Sequence, residues 1–205
     1  NPTKSLIEDY LMIDGLPIDK SPLYHVNFYE DVFENRDPRM TQTILEPGST
    51  WGGRYDGRVE NDNPSIFEVP KFQSDRRGAV TLTGYYFTKY ADVDAVATYN
   101  RDDNDIHLLR YAEVLLTYAE AKFEQGTLSQ EDIDSSINLL RARVGMTPMS
   151  IRALEQNGLN LGEEIHRERR IELALEGQRY FDLKRWKIAE VLGNDVKGTN
   201  IHWLP

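Results

Sequence analysis

Trp51, Tyr55, Tyr85, Tyr86, Tyr90 and Tyr99 fall in a stretch that also supplies Arg54, Asp56, Arg58, Asn61, Asp62 and Asn63. These residue types together suit the recognition of sugars. The C–H face of a pyranose stacks on an aromatic ring, and its hydroxyl edge is met by planar amides, carboxylates and guanidinium groups that hydrogen-bond in pairs. For each ring, core packing is the competing role. Trp51 stands apart because Gly48, Ser49, Thr50, Gly52 and Gly53 surround it, which places it on an exposed loop; contact with ligand and packing both stay open for it. The ligand-binding candidates are Trp51, Arg54, Tyr55 and Asn61.

Other chemistries find less support. The four histidines, His25, His107, His166 and His202, have no partner at metal-ligand spacing, so no transition-metal site is expected. Asp102-Asp103-Asn104-Asp105 offers oxygen ligands but lacks the glycine and distal glutamate of an EF-hand loop; a solvated loop ending in a helix cap is the competing reading. Zero cysteine removes thiolate chemistry and disulfides. No GxSxG elbow, P-loop or GxGxxG is present, and Trp51-Gly52-Gly53-Arg54 follows no strand-to-helix pattern that would cradle a phosphate. With 34 acidic residues, paired carboxylates for glycoside hydrolysis occur by abundance alone. No catalytic residue and no cofactor are expected.

The net charge of −10 over 205 residues argues against nucleic-acid binding, which needs a basic face. Residues 1–105 hold 11 basic and 19 acidic residues, and residues 106–205 hold 13 and 15. The acidic excess therefore sits in the aromatic half, which suits neutral, hydroxyl-rich ligands better than acidic ones. That half also contains 14 of the 21 aromatics and seven of the nine prolines. It reads as a loop-rich region, 1–105, carried by an α-helical scaffold, 106–205.

The scaffold elements follow from periodicity. A helix over about 106–125 is expected, capped by Asp105 and stopped by Gly126. Arg110, Glu113, Thr117, Glu120 and Glu124 form its one polar stripe, and the rest of its circumference is buried. Ser129 and Asp132 open a capping box before a helix through Ile133, Ile137, Leu140 and Val144. A third helix opens near Leu161-Gly162, with Gly177 interrupting, and a fourth covers about 178–192. Within the third, Glu163–Arg167 is an i,i+4 pair in the favourable order, and Arg169 and Arg170 can reach the Glu113/Glu120 stripe. Successive helical hairpins make the fold mainly α and tetratricopeptide-like, with a long loop-rich region and few short strands. In the first half, Thr3 caps a short helix, Val26–Phe33 reads as another, Met40–Leu45 as a strand, and Ala79–Tyr90 has strand character.

The order of several phrases is similar to the SusD/RagB family of outer-membrane nutrient-binding lipoproteins. The helical half contributes Leu109-Arg110-Tyr111-Ala112-Glu113-Val114-Leu115-Leu116, Tyr118-Ala119-Glu120-Ala121 and Ile137-Asn138-Leu139-Leu140-Arg141-Ala142-Arg143-Val144-Gly145. It then runs from Ile165-His166-Arg167-Glu168-Arg169-Arg170 to Leu183-Lys184-Arg185-Trp186. The first half contributes Pro2-Thr3, Tyr10-Leu11-Met12-Ile13-Asp14-Gly15 and Asn35-Arg36-Asp37-Pro38-Arg39.

The resemblance implies that the chain is the C-terminal part of a protein two to three times longer, with tetratricopeptide helices and a lipidated cysteine upstream. It implies a surface-exposed outer-membrane location and membrane contact only through that anchor. It further implies non-catalytic binding of an oligosaccharide or polysaccharide, and a TonB-dependent, SusC-like transporter as partner. It places Trp51 in the loop after the Arg-Asp-Pro-Arg motif where a stacking tryptophan can occur. The charge spacing above makes Arg110, Glu113, Glu120, Arg169, Arg170 and Glu172 scaffold ion pairs and not ligand contacts. A tetratricopeptide-like protein-interaction module and a glycosidase are the rival readings.

Overall fold

In the computed structural model, residues 1–51, 65–72, 80–91 and 105–204 are described. The described part is mainly helical, and its one ladder joins β1 (Thr50–Trp51) to β2 (Ser65–Ile66). No helix among the described residues is long and apolar enough to cross a membrane.

The scaffold starts with α3 (Tyr111–Glu124), after α1 (Lys4–Asp9) and α2 (Pro38–Thr43) of the first half. α3 begins five residues later than periodicity suggests. Arg110 occupies the cap position with extended backbone, and its guanidinium reaches out to Glu172 and Glu176. Ile106, Leu108 and Leu109 before it are exposed. The facing of α3 also differs from expectation. Glu120 of the polar stripe is buried, whereas Tyr111, Val114 and Tyr118 are exposed. Glu120 turns inward because Arg185 and Trp186 meet its carboxylate, while Thr117 and Glu124 of the same stripe stay exposed.

Ser129 forms the expected capping box with Asp132 at the start of α4 (Gln130–Asp134). One continuous helix to Val144 does not follow. The chain breaks at Ser135-Ser136 and resumes as α5 (Ile137–Arg143). The Ser136 hydroxyl donates to the Asp132 carbonyl four residues back, a bond that competes with regular helix backbone. Gln130 and Asn138 both donate to the Met149 carbonyl and so fasten the next turn, α6 (Ile151–Gln156), against the pair. Asn160 caps α7 (Leu161–Glu172), and left-handed backbone at Leu175 and Gly177 reverses the chain into α8 (Arg179–Arg185). α8 stops at Arg185, and left-handed Lys187 precedes a 3-10 turn, Ala189–Gly193.

α7, and not the more apolar α3, has the central position, packing on α1, α2, α3 and α6. On one side it packs on α3, where Leu116, Ala119, Ile133, Ile137 and Ile165 form one core. On the other it packs on α1 and α2, and its Ile171 enters a second core with Ile7, Tyr10, Tyr29, Met40, Ile44 and Tyr85. Alternating burial of this kind suits a helix whose apolar residues are few and whose charged residues are matched on both sides.

Thr3 caps α1 by accepting from Leu6 N. Val26–Phe33 shortens to a 3-10 turn, Glu30–Phe33. Met40–Leu45, expected as a strand, starts inside α2. Asp37 caps that helix by accepting from Arg39 N, and Pro38 fills the first turn where no N–H is needed. These start signals outweigh the strand propensity of the residues after them. Of the stretch Ala79–Tyr90, expected to have strand character, the described residues 80–90 form no ladder; they make one bridge, Ile44 with Phe87, and Gly84 and Tyr90 have left-handed backbone. Gly84 is obligatory, because a Cβ there would come 2.2 Å from Thr199 Cγ2.

Candidate ligand-binding site

Trp51 ends β1, and its Cα partner in the antiparallel register is Ser65. The ladder therefore holds the two ends of segment 52–64 opposite one another. Arg54, Tyr55 and Asn61 belong to that segment and lie outside the described residues, as do Asp102, Asp103 and Tyr99. What is described is the mounting. Gly48 N donates to Phe67 O at 2.7 Å and Phe67 N to Ser49 O at 2.9 Å, so the ribbon continues past its two paired positions. Phe67 meets Tyr86 edge-on at 5.7 Å. Leu45 N donates to Tyr86 O, and Thr88 N and Lys89 N to Thr43 O. Trp51 thus stands on a short ribbon whose base is tied, through residues 86–89, to the C-terminal end of α2.

The other aromatic candidates separate by role. Tyr85 is buried against Tyr29 and Phe33 and belongs to the core. Tyr86 uses its hydroxyl on the backbone of Lys71. Tyr90 is partly exposed, lies 6.0 Å from the His107 ring, and lines a cleft at the end of α2.

The Asn35-Arg36-Asp37-Pro38-Arg39 phrase proves to be a latch. Left-handed Asn35 turns the chain. Arg36 is buried and donates to the carbonyls of Val32, Ile7 and Tyr10, closing the open end of α1. Asp37 takes Arg39 Nε at 3.0 Å and Nη2 at 2.7 Å, a bidentate pair. Arg39 Nη1 then spans to Glu168 at 2.6 Å and Glu172 at 3.0 Å on α7. Arg141 holds the second oxygen of Glu168 at 2.9 Å. Two guanidinium groups outweigh the burial of Glu168 and hold its carboxyl down at about 2.

The remaining arginines of α7 are partnered, with some exchanges relative to expectation. Arg167 pairs with Glu164 and Asp9 and leaves Glu163 aside. Arg170 crosses to Asp9 and Ser5 of α1. Arg169 takes Asp182 of α8 at 3.0 Å and approaches Glu113 at 3.9 Å. Glu120 is held by Arg185 and by Trp186 Nε1. His166 stacks on Trp186 at 3.7 Å, and burial lowers its pKa although Glu120 works the other way. The role of Trp186 as a donor to Glu120 has no local signal in the sequence, because its partner lies 66 residues away. Among the described residues no group of three His, Cys, Asp or Glu is placed to hold a metal ion.

Comparison with known proteins gives this scaffold a context. SusD-like protein P2 of Formosa agariphila is 34% identical over 137 residues, which is 64% of this chain and 26% of that protein. A SusD-like carbohydrate binding protein of Bacteroides fragilis superposes with a TM-score of 0.72 at 29% identity, over 98% of this chain and 38% of that one. A second SusD-like protein of B. fragilis superposes with a TM-score of 0.68 at 31% identity, over 92% and 36%. The chain thus spans well under half the length of these relatives. The model of the SusD family matches residues 1–200, nearly the entire sequence, and the chain belongs to the SusD family.

Proposed function

We propose that the chain is part of a non-catalytic, cell-surface glycan-binding protein that delivers its ligand to a TonB-dependent, SusC-like outer-membrane transporter. Its attachment to the membrane is through a lipid anchor upstream. The observation that carries this reading is the superposition, over nearly all of the chain, on a SusD-like carbohydrate binding protein at 29% identity. The ligand face is the loop-rich region 1–105, with 106–205 as its scaffold. Trp51, Arg54, Tyr55 and Asn61 make the contacts, by stacking and by hydrogen bonds to hydroxyls.

The site architecture supports the reading. The ion pairs of α7 are spent on holding helices together, and the ribbon that bears Trp51 stands on that rigid base. A binding loop on a fixed scaffold is a common arrangement for recognition. Single weak contacts on a polymer gain strength through repeated engagement. The test is calorimetric titration of the whole protein against a panel of neutral and acidic oligosaccharides, with the Trp51→Ala variant in parallel. Binding is expected, with loss in the variant. Binding that survives Trp51→Ala unchanged removes the site assignment, and hydrolysis of a panel glycan by the pure protein overturns the non-catalytic reading.

A further inference from the structure

The latch on α7 opens to solvent at one end, in a cleft of about 450 Å³ walled by the end of α2, residues 88–90, His107 and α7. Charge is not balanced there. Among the described residues, Arg39, Lys89, Arg110, Arg141 and Arg143 meet four carboxylates, Asp37, Glu168, Glu172 and Glu176. The acceptors are used up. Glu172 takes Arg110 and Arg143 on one oxygen and Arg39 and Arg143 on the other, and both oxygens of Glu176 take Arg110. Among the described residues this network carries one positive charge in excess, and four of its five cations, Arg39, Lys89, Arg110 and Arg143, line the cleft. Arg143 is its most open member: its side chain is 49% exposed and only Nη2 is engaged within the network.

Part of the lining is aromatic. Tyr90 and His107 line the cleft as a tilted pair, and Gln42 adds an amide at the mouth. The overall charge of −10 does not decide what enters, because exposed charges beyond about 8 Å are largely screened at physiological salt and the nearest ones prevail. The cleft also shares its base with the Trp51 ribbon: Thr43 binds Thr88 and Lys89 on the cleft side, and Leu45 binds Tyr86 on the ribbon side.

We infer that this cleft takes the anionic group of an acidic saccharide, a carboxylate or a sulfate ester, on Arg143, with the sugar ring against Tyr90 and His107. The inference rests on the glycan-binding reading and names the substrate class it would favour. Guanidinium groups suit both anions, because the planar fork matches two oxygens at once.

The test uses the whole protein and two matched pairs of probes in calorimetric titrations: an oligogalacturonate with its methyl ester, and a sulfated galactan oligosaccharide with its desulfated form. The charged member of at least one pair is expected to bind about 10-fold or more tightly than its neutral match, as a charge-assisted bond provides, and the pair that responds identifies the anion. Arg143→Gln should erase that preference and leave neutral binding in place. Because Arg143 also bonds Glu172, His107→Ala, outside the ion pairs, serves as the second variant; it should weaken the charged ligand several-fold with an unchanged melting temperature. Equal binding within both pairs, or a preference that survives both variants, overturns the inference and leaves the glycan reading standing. Absence of binding to every glycan, neutral or charged, removes both.

Discussion

Arg39 on α2 donates through Nη1 to Glu168 on α7 at 2.6 Å across 129 residues of sequence, and both side chains are buried. Arg141 of α5 meets the other carboxylate oxygen. A single glutamate therefore joins the loop-rich half to two helices of the scaffold. Such a pair does more to set which segments meet than to add net stability, since burying the charges costs nearly what their attraction returns.

Breaking it is another matter. Glu168→Gln leaves two buried guanidinium groups without their charge partner and should cost about 3–5 kcal/mol, the usual penalty for an uncompensated buried ion. Urea denaturation of the variant and the parent protein measures it. A midpoint that hardly moves would show that the latch does not hold the halves together.

The same carboxylate predicts acid sensitivity. Its folded-state pKa, about 2, lies below the ordinary glutamate value of 4.5, so its contribution is fully present above about 4.5 and is lost as pH falls toward 2. The burial-depressed pKa of His166 acts in the same direction at higher pH: the unfolded chain takes up its proton first, so stability declines as pH drops below about 6.5. Melting temperature measured from pH 7 to pH 3 should fall in two stages; His166→Gln should remove the first, and Glu168→Gln should reduce the second, to which the depressed carboxyls of Glu120 and Glu176 also contribute.

Facing on α3 can be read by truncation. Leu116 is fully buried, and Leu116→Ala should cost about 2–5 kcal/mol, as deletion of a buried side chain does. Tyr111 is 71% exposed on the same helix, and Tyr111→Ala should stay within about 0.5 kcal/mol. Equal losses would mean the helix is turned differently.

Gly84 offers a backbone test. Its φ of +81° is left-handed and a Cβ would strike Thr199, so Gly84→Ala should destabilise by more than about 1 kcal/mol. Replacing Thr199 by serine, which lacks the Cγ2 methyl, should recover part of that loss in thermal melts, since Cγ2 is the nearest obstacle.

The elements whose causes are local were legible in the sequence. Ser129 and Asp132 cap α4, Thr3 caps α1, and Gly126 ends the turn after α3, each through hydrogen bonds or backbone geometry within a few residues. Family membership was legible too, because it resides in the order of whole phrases. Misreadings came where the partner was distant. α3 looked buried on all but its polar stripe, with Arg169 and Arg170 in reach of Glu113 and Glu120; Arg169 does approach Glu113, but Glu120 is taken by Arg185 and Trp186, and Tyr111, Val114 and Tyr118 are exposed. Met40–Leu45 had strand propensity, and the cap at Asp37 with Pro38 overrode it. Arg167 favoured Glu163 by spacing but found Glu164 and Asp9, because α1 packs against that face of α7. Arg54, Tyr55 and Asn61 rest on residue type and Trp51 also on its glycine-rich surroundings and the family resemblance; the tertiary structure adds the ribbon that holds positions 51 and 65 together. Hydrophobic period and capping are properties of a segment. Which charge meets which, and so which face is buried, depends on segments from 13 to more than 150 residues apart, and that only the packed chain decides.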